Sequence, residues 1–268
     1  PSDGGSYPAW TPSPGWKAVG LSGDGQRLAF GWYGNDHMPG EVHAYEWDAG
    51  SGQWVQLGNP VIGDAAYDYF GHTLAMSADG STLAAAAPYI DDPHYNSGHV
   101  RVLRFDDAGQ DWVQLGAAID GDEEEHELGN GHPNVALSAD GAILAVSSDR
   151  ARIDTKTGLV RVYAYDGAAW VLLGTDLEAT EMDSSFGNTV ALSDDGALLA
   201  VAAYQESAGG TNRGAVHTYG VLFHPSPPFP PGLPPPIPLL PSLPPSPPSP
   251  PSPAHPPSTP APLAPPPP

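Results

Sequence analysis

The chain writes one unit four times, and this constrains its fold more than any other feature, because stacked copies of a short unit must bury a continuous core between neighbours. The segments GLSGDGQRLAF (20–30), AMSADGSTLAA (75–85), ALSADGAILAV (136–146) and ALSDDGALLAV (191–201) share one pattern anchored on Ser22, Ser77, Ser138 and Ser193. The anchors are spaced 55, 61 and 55 residues apart. A Gly-x-Val landmark follows each of them, at Gly40 to Val42, Gly98 to Val100, Gly158 to Val160 and Gly214 to Val216. A third landmark closes the first three units: WVQLG at 54–58 and 112–116, and WVLLG at 170–174.

Each unit reads as strands. Asp-Gly at 24–25, 79–80, 140–141 and 195–196 lies between two short apolar runs, a hairpin signal, because a tight turn of this kind needs positive φ. The runs VHAYEW, VRVLRF, VRVYAY and VHTYGV after the Gly-x landmark are rich in β-branched and aromatic residues, and the Trp run supplies a further strand. Four strands per unit of about 55 to 60 residues is the proportion of a propeller blade. The predicted fold is therefore all-β: four blade-like, four-stranded repeats with the Asp-Gly turns on one rim and the Trp strands outermost. Runs that are apolar on both parities fit this fold, since both faces of a blade are covered by neighbours.

Phe70-Gly71 and Phe186-Gly187, each followed by strand, Asp-Gly, strand, loop and Gly-x-Val, resemble the FG-GAP repeats of integrin α-type propellers. The resemblance spans residues 15–224. The first and third copies depart from it, with Gly15-Trp16 and Gly131-His132 where Phe-Gly would stand. The family's calcium loop implies carboxylates at alternate positions before Asp-Gly; Ala75 and Ser77 occupy them here, so calcium binding is not carried over. Asp24, Asp79, Asp140 and Asp195 read as turn residues.

Trp follows the landmark valine by 12, 12 and 10 residues in the first three units, which places a fourth Trp near position 228, where the sequence is Pro-Pro-Phe-Pro. Proline cannot donate to a ladder, so the fourth unit is predicted to lack its last strand. An open edge must be covered. The expected cover is residues 1–14, in which Tyr7 and Trp10 are the apolar candidates, or a strand from another copy, with Val216 and Tyr219 marking the edge to be met.

Composition divides the chain into segment 1–14, head 15–224 and tail 225–268. The tail holds 25 prolines in 44 positions and no Asp, Glu, Lys or Arg. Such a run takes the polyproline II form, and at ~3.1 Å per residue it reaches on the order of 130 Å. Ser246, Ser249 and Ser252 recur every three residues beside Pro247, Pro248, Pro250 and Pro251, one per turn of that helix and so in a single stripe. The pattern resembles the hydroxyproline-rich wall and matrix glycoproteins of plants and green algae, of the extensin and pherophorin kind. That resemblance implies hydroxylation and O-linked glycans at those residues. A linker and an SH3 or WW ligand are the alternatives.

Every formal charge lies in residues 1–224, and Lys+Arg 9 against Asp+Glu 31 gives -22. Such a charge repels phosphate backbones and anionic membrane surfaces, which argues against nucleic-acid partners and a polybasic lipid anchor. No run reaches the ~20 apolar residues of a membrane span. Without Cys there are no disulfides or thiolate metal sites. The acidic run Asp120, Asp122, Glu123, Glu124, Glu125 and Glu127 reads as a solvated connection between units, with a loosely bound divalent cation as its functional alternative. No other cofactor is expected. His43, His99 and His217 sit at or beside equivalent strand positions and read as packing residues, as do Trp54, Trp112 and Trp170, for which sugar stacking is the alternative. No nucleophile elbow or His-x-x-x-His occurs, so no enzymatic activity is expected. The expected function is that of a secreted structural subunit of an extracellular filament, wall or matrix, associating with copies of itself through head and tail. The alternative is a secreted adhesion module whose head binds a glycan or protein.

Overall fold

The computed structural model describes residues 16–32, 38–130, 134–149, 151, 157–179, 181–207 and 213–221, and no helix occurs among them. The repeats fold as predicted into four antiparallel, blade-like sheets. Blade 1 orders β1 (Trp16–Leu21), β2 (Arg27–Trp32), β3 (Glu41–Asp48) and β4 (Gln53–Gln56), and the short β5 (Val61–Ile62) also pairs with β3. Blade 2 comprises β6 (Leu74–Met76), β7 (Thr82–Ala87), β8 (His99–Asp106), β9 (Asp111–Gln114) and β10 (Ile119–Asp120) in the same arrangement. Blade 3 repeats it with β11 (Val135–Leu137), β12 (Ile143–Ser148), β13 (Leu159–Tyr165), β14 (Trp170–Leu172) and β15 (Leu177–Glu178). Blade 4 contains β16 (Phe186–Leu192), β17 (Leu198–Ala203) and β18 (Ala215–Gly220) among the described residues.

The expected single outer strand is broken in two in each of the first three blades. Gly58, Gly116 and Gly174 take φ of 72°, 77° and 76°, a region a side chain disfavours, and so end β4, β9 and β14. The chain then crosses to pair again at the start of the same third strand: β4 lies along Tyr45 to Asp48, β5 along Glu41 and Val42.

The four turns are alike to within a tenth of an ångström. In each, the Ser hydroxyl donates 2.6 Å to the Asp Oδ1 two residues on. It accepts 2.9 Å from the backbone N–H five residues on. The same Asp Oδ1 accepts from the N–H two residues beyond it. Hydrogen bonding from Ser22 and then from the Gln26 N–H holds the Asp24 carboxyl below its ordinary range, and Ser193 and Ala197 do the same at Asp195. The turns are also laced to one another, since Gly23 N–H donates to Ala78 C=O at 2.7 Å, Ala78 to Ala139 at 2.9 Å and Ala139 to Asp194 at 2.8 Å. The first strands lie side by side in the same order, β1 by β6, β6 by β11 and β11 by β16.

The core lies between blades. Ala29, Val42, Leu74, Leu83 and Phe105 fill the first junction, Val100, Val102, Val135, Leu144 and Val146 the second, and Val160, Val162, Phe186, Val190 and Val201 the third. Phe70 and Phe186 enter these cores from the Phe-Gly pairs. In the third copy the expected Gly131-His132 lies outside the described residues, and the place of Phe-Gly is taken by Leu128-Gly129. Leu128 N–H donates to Ser97 C=O as Phe70 N–H does to Pro39, and Gly129 N–H to Ser147 as Gly71 does to Ala86. The two pairs differ in their distance from the anchor, seven residues before Ser77 but ten before Ser138, which explains why the sequence pattern hid the third one.

Ser138→Ala removes the buried hydroxyl that satisfies the Ile143 N–H. It is expected to cost about 2 kcal/mol in chemical denaturation, whereas Ser193→Ala, in a half-exposed turn, costs about 1 kcal/mol or less.

Candidate interaction site

The residue after the landmark valine occupies one register position in all four third strands: His43, Arg101, Arg161 and His217. Each meets an acid. His43 Nε2 lies 2.9 Å from Glu41 and His217 Nε2 2.6 Å from Glu206. Arg101 donates to Ile62 C=O at 2.7 Å and reaches Asp64 at 3.4 Å, both on the segment arriving from blade 1, with its guanidinium carbon 3.9 Å from the centre of the Phe70 ring. Arg161 is the strongest case. Its Nε and Nη2 clasp Asp176 at 2.9 Å, and Nη2 also reaches both oxygens of Asp122 at 2.9 and 2.8 Å. Burial opposes the charge of Arg161, but the hydrogen bonds it donates to Asp176 and Asp122 outweigh it and raise its pKa.

The acidic run is thereby turned to internal pairing. Asp122 serves Arg161 and lies 3.0 Å from Nδ1 of buried His126, while Glu123 lies 3.4 Å from its Nε2. Asp120 sits opposite His99 in the β10–β8 ladder, 3.7 Å from its Nδ1, and burial raises the Asp120 carboxyl. Glu124 is exposed and Glu125 half-exposed. Among the described residues no group of three or more His, Asp or Glu side chains is placed to hold a metal ion. The Arg161–Asp176–Asp122 clamp was not anticipated from sequence. Its signal was the register itself, since Arg follows the landmark valine in both the second and third units.

The Trp series clasps neighbouring blades. Trp112 Nε1 donates to Leu57 C=O at 2.9 Å and Trp170 Nε1 to Leu115 C=O at 2.8 Å, each reaching from its own blade to the preceding one. Trp112 also packs edge-on to Phe105, and Trp54 to Trp47.

The ends of the series differ from its middle. Val42, Val100 and Val160 are buried under the next blade, but Val216 at the same register is 71% exposed. Leu198, whose counterparts Thr82 and Ile143 are buried, is 60% exposed. At the other end, Leu74, Val135 and Val190 are buried, but their counterpart Val19 is 70% exposed. Of the two residues expected to mark the open edge, Val216 faces outward, whereas Tyr219 packs on the blade 3–4 core against Phe186. Tyr7, Trp10, Ser246, Ser249, Ser252, Pro247, Pro248, Pro250 and Pro251 lie outside the described residues.

No known family profile matches the chain, and no curated protein does. Several solved structures are similar to part of it. The Cps50 (Swd1) β-propeller domain of Myceliophteria thermophila is 14% identical with TM-score 0.49, over 77% of this chain and 51% of that one. The periplasmic gluconolactonase PpgL of Pseudomonas aeruginosa is 19% identical with TM-score 0.48, over 77% and 57%. A 6-phosphogluconolactonase-type protein of Bacteroides uniformis is 14% identical with TM-score 0.47, over 76% and 57%. The chain spans about half the length of these structures, and the likeness is one of fold alone. The expectation of no enzymatic activity does not stand: proteins with lactonase in their names are among the solved structures similar to the chain, and the lack of a familiar catalytic motif does not exclude catalysis.

Burial, reinforced by Arg101, pushes His99 down to about 4, while Asp64 and Asp92 pull the other way. An unfolded His takes up its proton near pH 6.5, so between that value and about 4 the unfolded chain binds a proton the folded one refuses. Stability is therefore expected to fall with pH across this window, by on the order of 2 to 3 kcal/mol from this residue. Asp68 and Asp120, raised by burial, act in the opposite sense towards the acid end. Urea denaturation at a series of pH values should show a shallower slope for His99→Gln. Replacing Arg161 by Met leaves Asp122 and Asp176 without their cation; a loss of about 2 kcal/mol is expected, partly restored by Lys.

Proposed function

We propose that this protein is a structural subunit of an extracellular glycoprotein assembly, a filament, wall or matrix, in which the heads associate and the tails form stiff glycosylated rods. The observation that carries this reading is the exposed apolar face of blade 4. Val216 is exposed at a register position buried in the other three blades, and Leu198 at one buried in blades 2 and 3, and exposed apolar patches of this kind mark association surfaces. The proline-rich composition of residues 225–268 and its stripe at Ser246, Ser249 and Ser252 support the glycosylated rod and a secreted location. There is no Asn-x-Ser/Thr sequon, so attached glycans are O-linked. A kinship with FG-GAP repeats is supported by the equivalent places of Phe70-Gly71 and Phe186-Gly187, whose glycines share φ of 84° and 83°.

Native material is expected to exceed the 27.8 kDa of the polypeptide, with the excess mass on tail peptides in peptide mass spectrometry. Unmodified tail peptides would refute the glycoprotein. Light scattering is expected to show particles larger than one chain. Dispersed single chains that bind a sugar would instead favour the adhesion module.

A further inference from the structure

We infer that the outer face of blade 4 docks on the outer face of blade 1 of a second copy of this chain, repeating between molecules the junction that joins blades within one. This inference rests on the self-association proposed above and names the two surfaces that carry it.

Three observations converge. First, each internal junction sets the landmark valine of one blade in the same cluster as a first-strand residue of the next. Val42 shares its cluster with Leu74, Val100 with Val135 and Val160 with Val190. The series leaves over one member of each kind, Val216 and Val19, which are 71% and 70% exposed.

Second, the lacing of the turns ends in complementary groups. Gly23, Ala78 and Ala139 each donate to the next turn, and Ala78, Ala139 and Asp194 each accept. Among the described residues this leaves the Asp194 N–H as a donor at one end and the Gly23 C=O as an acceptor at the other, both on exposed residues.

Third, the turn glycines show the same fit. A Cβ on Gly80, Gly141 or Gly196 would fall 2.7 to 2.9 Å from Arg27, Thr82 or Ile143 of the preceding blade, whereas one on Gly25 would meet nothing within 4 Å. Leu198 stands at the register of Arg27, Thr82 and Ile143, so the place it offers fits Gly25 of another copy. The blade 4 face, formed by Leu198, Ala200, Ala202, Val216 and Thr218, has no charged side chain. On the blade 1 face, Glu41 is held 2.9 Å from His43, and at physiological ionic strength repulsion between the two acidic heads is screened beyond about 8 Å.

The two faces are different surfaces, so the contact is heterologous: it closes if the rotation allows and otherwise runs on as an open series. The chain has no cysteine, which makes cross-linking a clean test. Full-length Val19→Cys and Val216→Cys chains, mixed and oxidised, are expected to give a reducible product of two chains. A mixture of Val55→Cys and Val113→Cys, exposed on outer strands, should not. Val216→Asp and Val19→Asp change exposed side chains, should keep the circular dichroism of the parent, and are expected to weaken association about tenfold or more. Large particles without the Val19–Val216 product would overturn this docking and leave the structural role standing. Single chains at high concentration, with or without Val19 shielded from alkylation by residues 1–14, would overturn both.

Discussion

A serine hydroxyl that donates to one carboxylate and accepts from one backbone N–H sets the geometry on which the rest of the structure depends. Because Ser22, Ser77, Ser138 and Ser193 make the same two bonds at the same lengths, every hairpin leaves its turn in the same direction. Equal turns allow the residue after each serine to bond to its counterpart in the next blade. A fixed offset between turns then fixes which strand positions face each other across a junction. The apolar pairs between blades are in this sense a consequence of the turns. Their burial supplies the larger part of the driving force, but it is the polar turn that selects the register in which burial occurs.

Much of this was legible in the sequence, because the period of the repeat and the chemistry of Asp-Gly act locally. The order of strands, the outer position of the Trp runs and the shared rim of the turns all follow from those two signals. What escaped the sequence lies where a local signal has several spatial outcomes. The glycine after each Trp run was visible, yet whether it ends a strand or bends it depends on the third strand it must rejoin. Leu128-Gly129 was hidden for another reason: a leucine fills a core position as a phenylalanine does, and the longer connection to Ser138 moved the pair out of step. The roles of Arg161 and Asp122 depend on two connections that meet only in the folded chain.

The acidic composition takes on a different meaning once these contacts are known. Asp24, Asp79, Asp140 and Asp195 are turn acceptors, Asp48, Asp106 and Asp166 accept from nearby backbone N–H groups in the next loops, and Asp111 accepts from Asn59 of the preceding blade. Carboxylates thus do by hydrogen bonding what a short turn cannot do with backbone alone. The few cations are placed sparingly, with Arg101 and Arg161 at the register where a connection crosses from one blade to the next. Pooled over the head, the charge suggests repulsion from other acidic surfaces; taken residue by residue, much of it maintains the turns and crossings.

A series built from equal junctions has no internal reason to stop. Each blade carries one face that receives and one that docks, and among the described residues every receiving face but the last is filled. The residues at the two ends depart from the middle mainly in what covers them. On blade 1 the docking face has gained aromatic bulk, with Phe30 stacked on His43 and Tyr45, where blade 2 has Ala85 and Leu103 at the registers of Phe30 and Tyr45. On blade 4 the receiving face has kept the small residues of the interior, Ala200 and Ala202 matching Ala84 and Ala86. Among the described residues the Asp194 N–H and the Gly23 C=O are the members of the turn series left over, a donor at one end and an acceptor at the other, and they point to a contact between unlike ends.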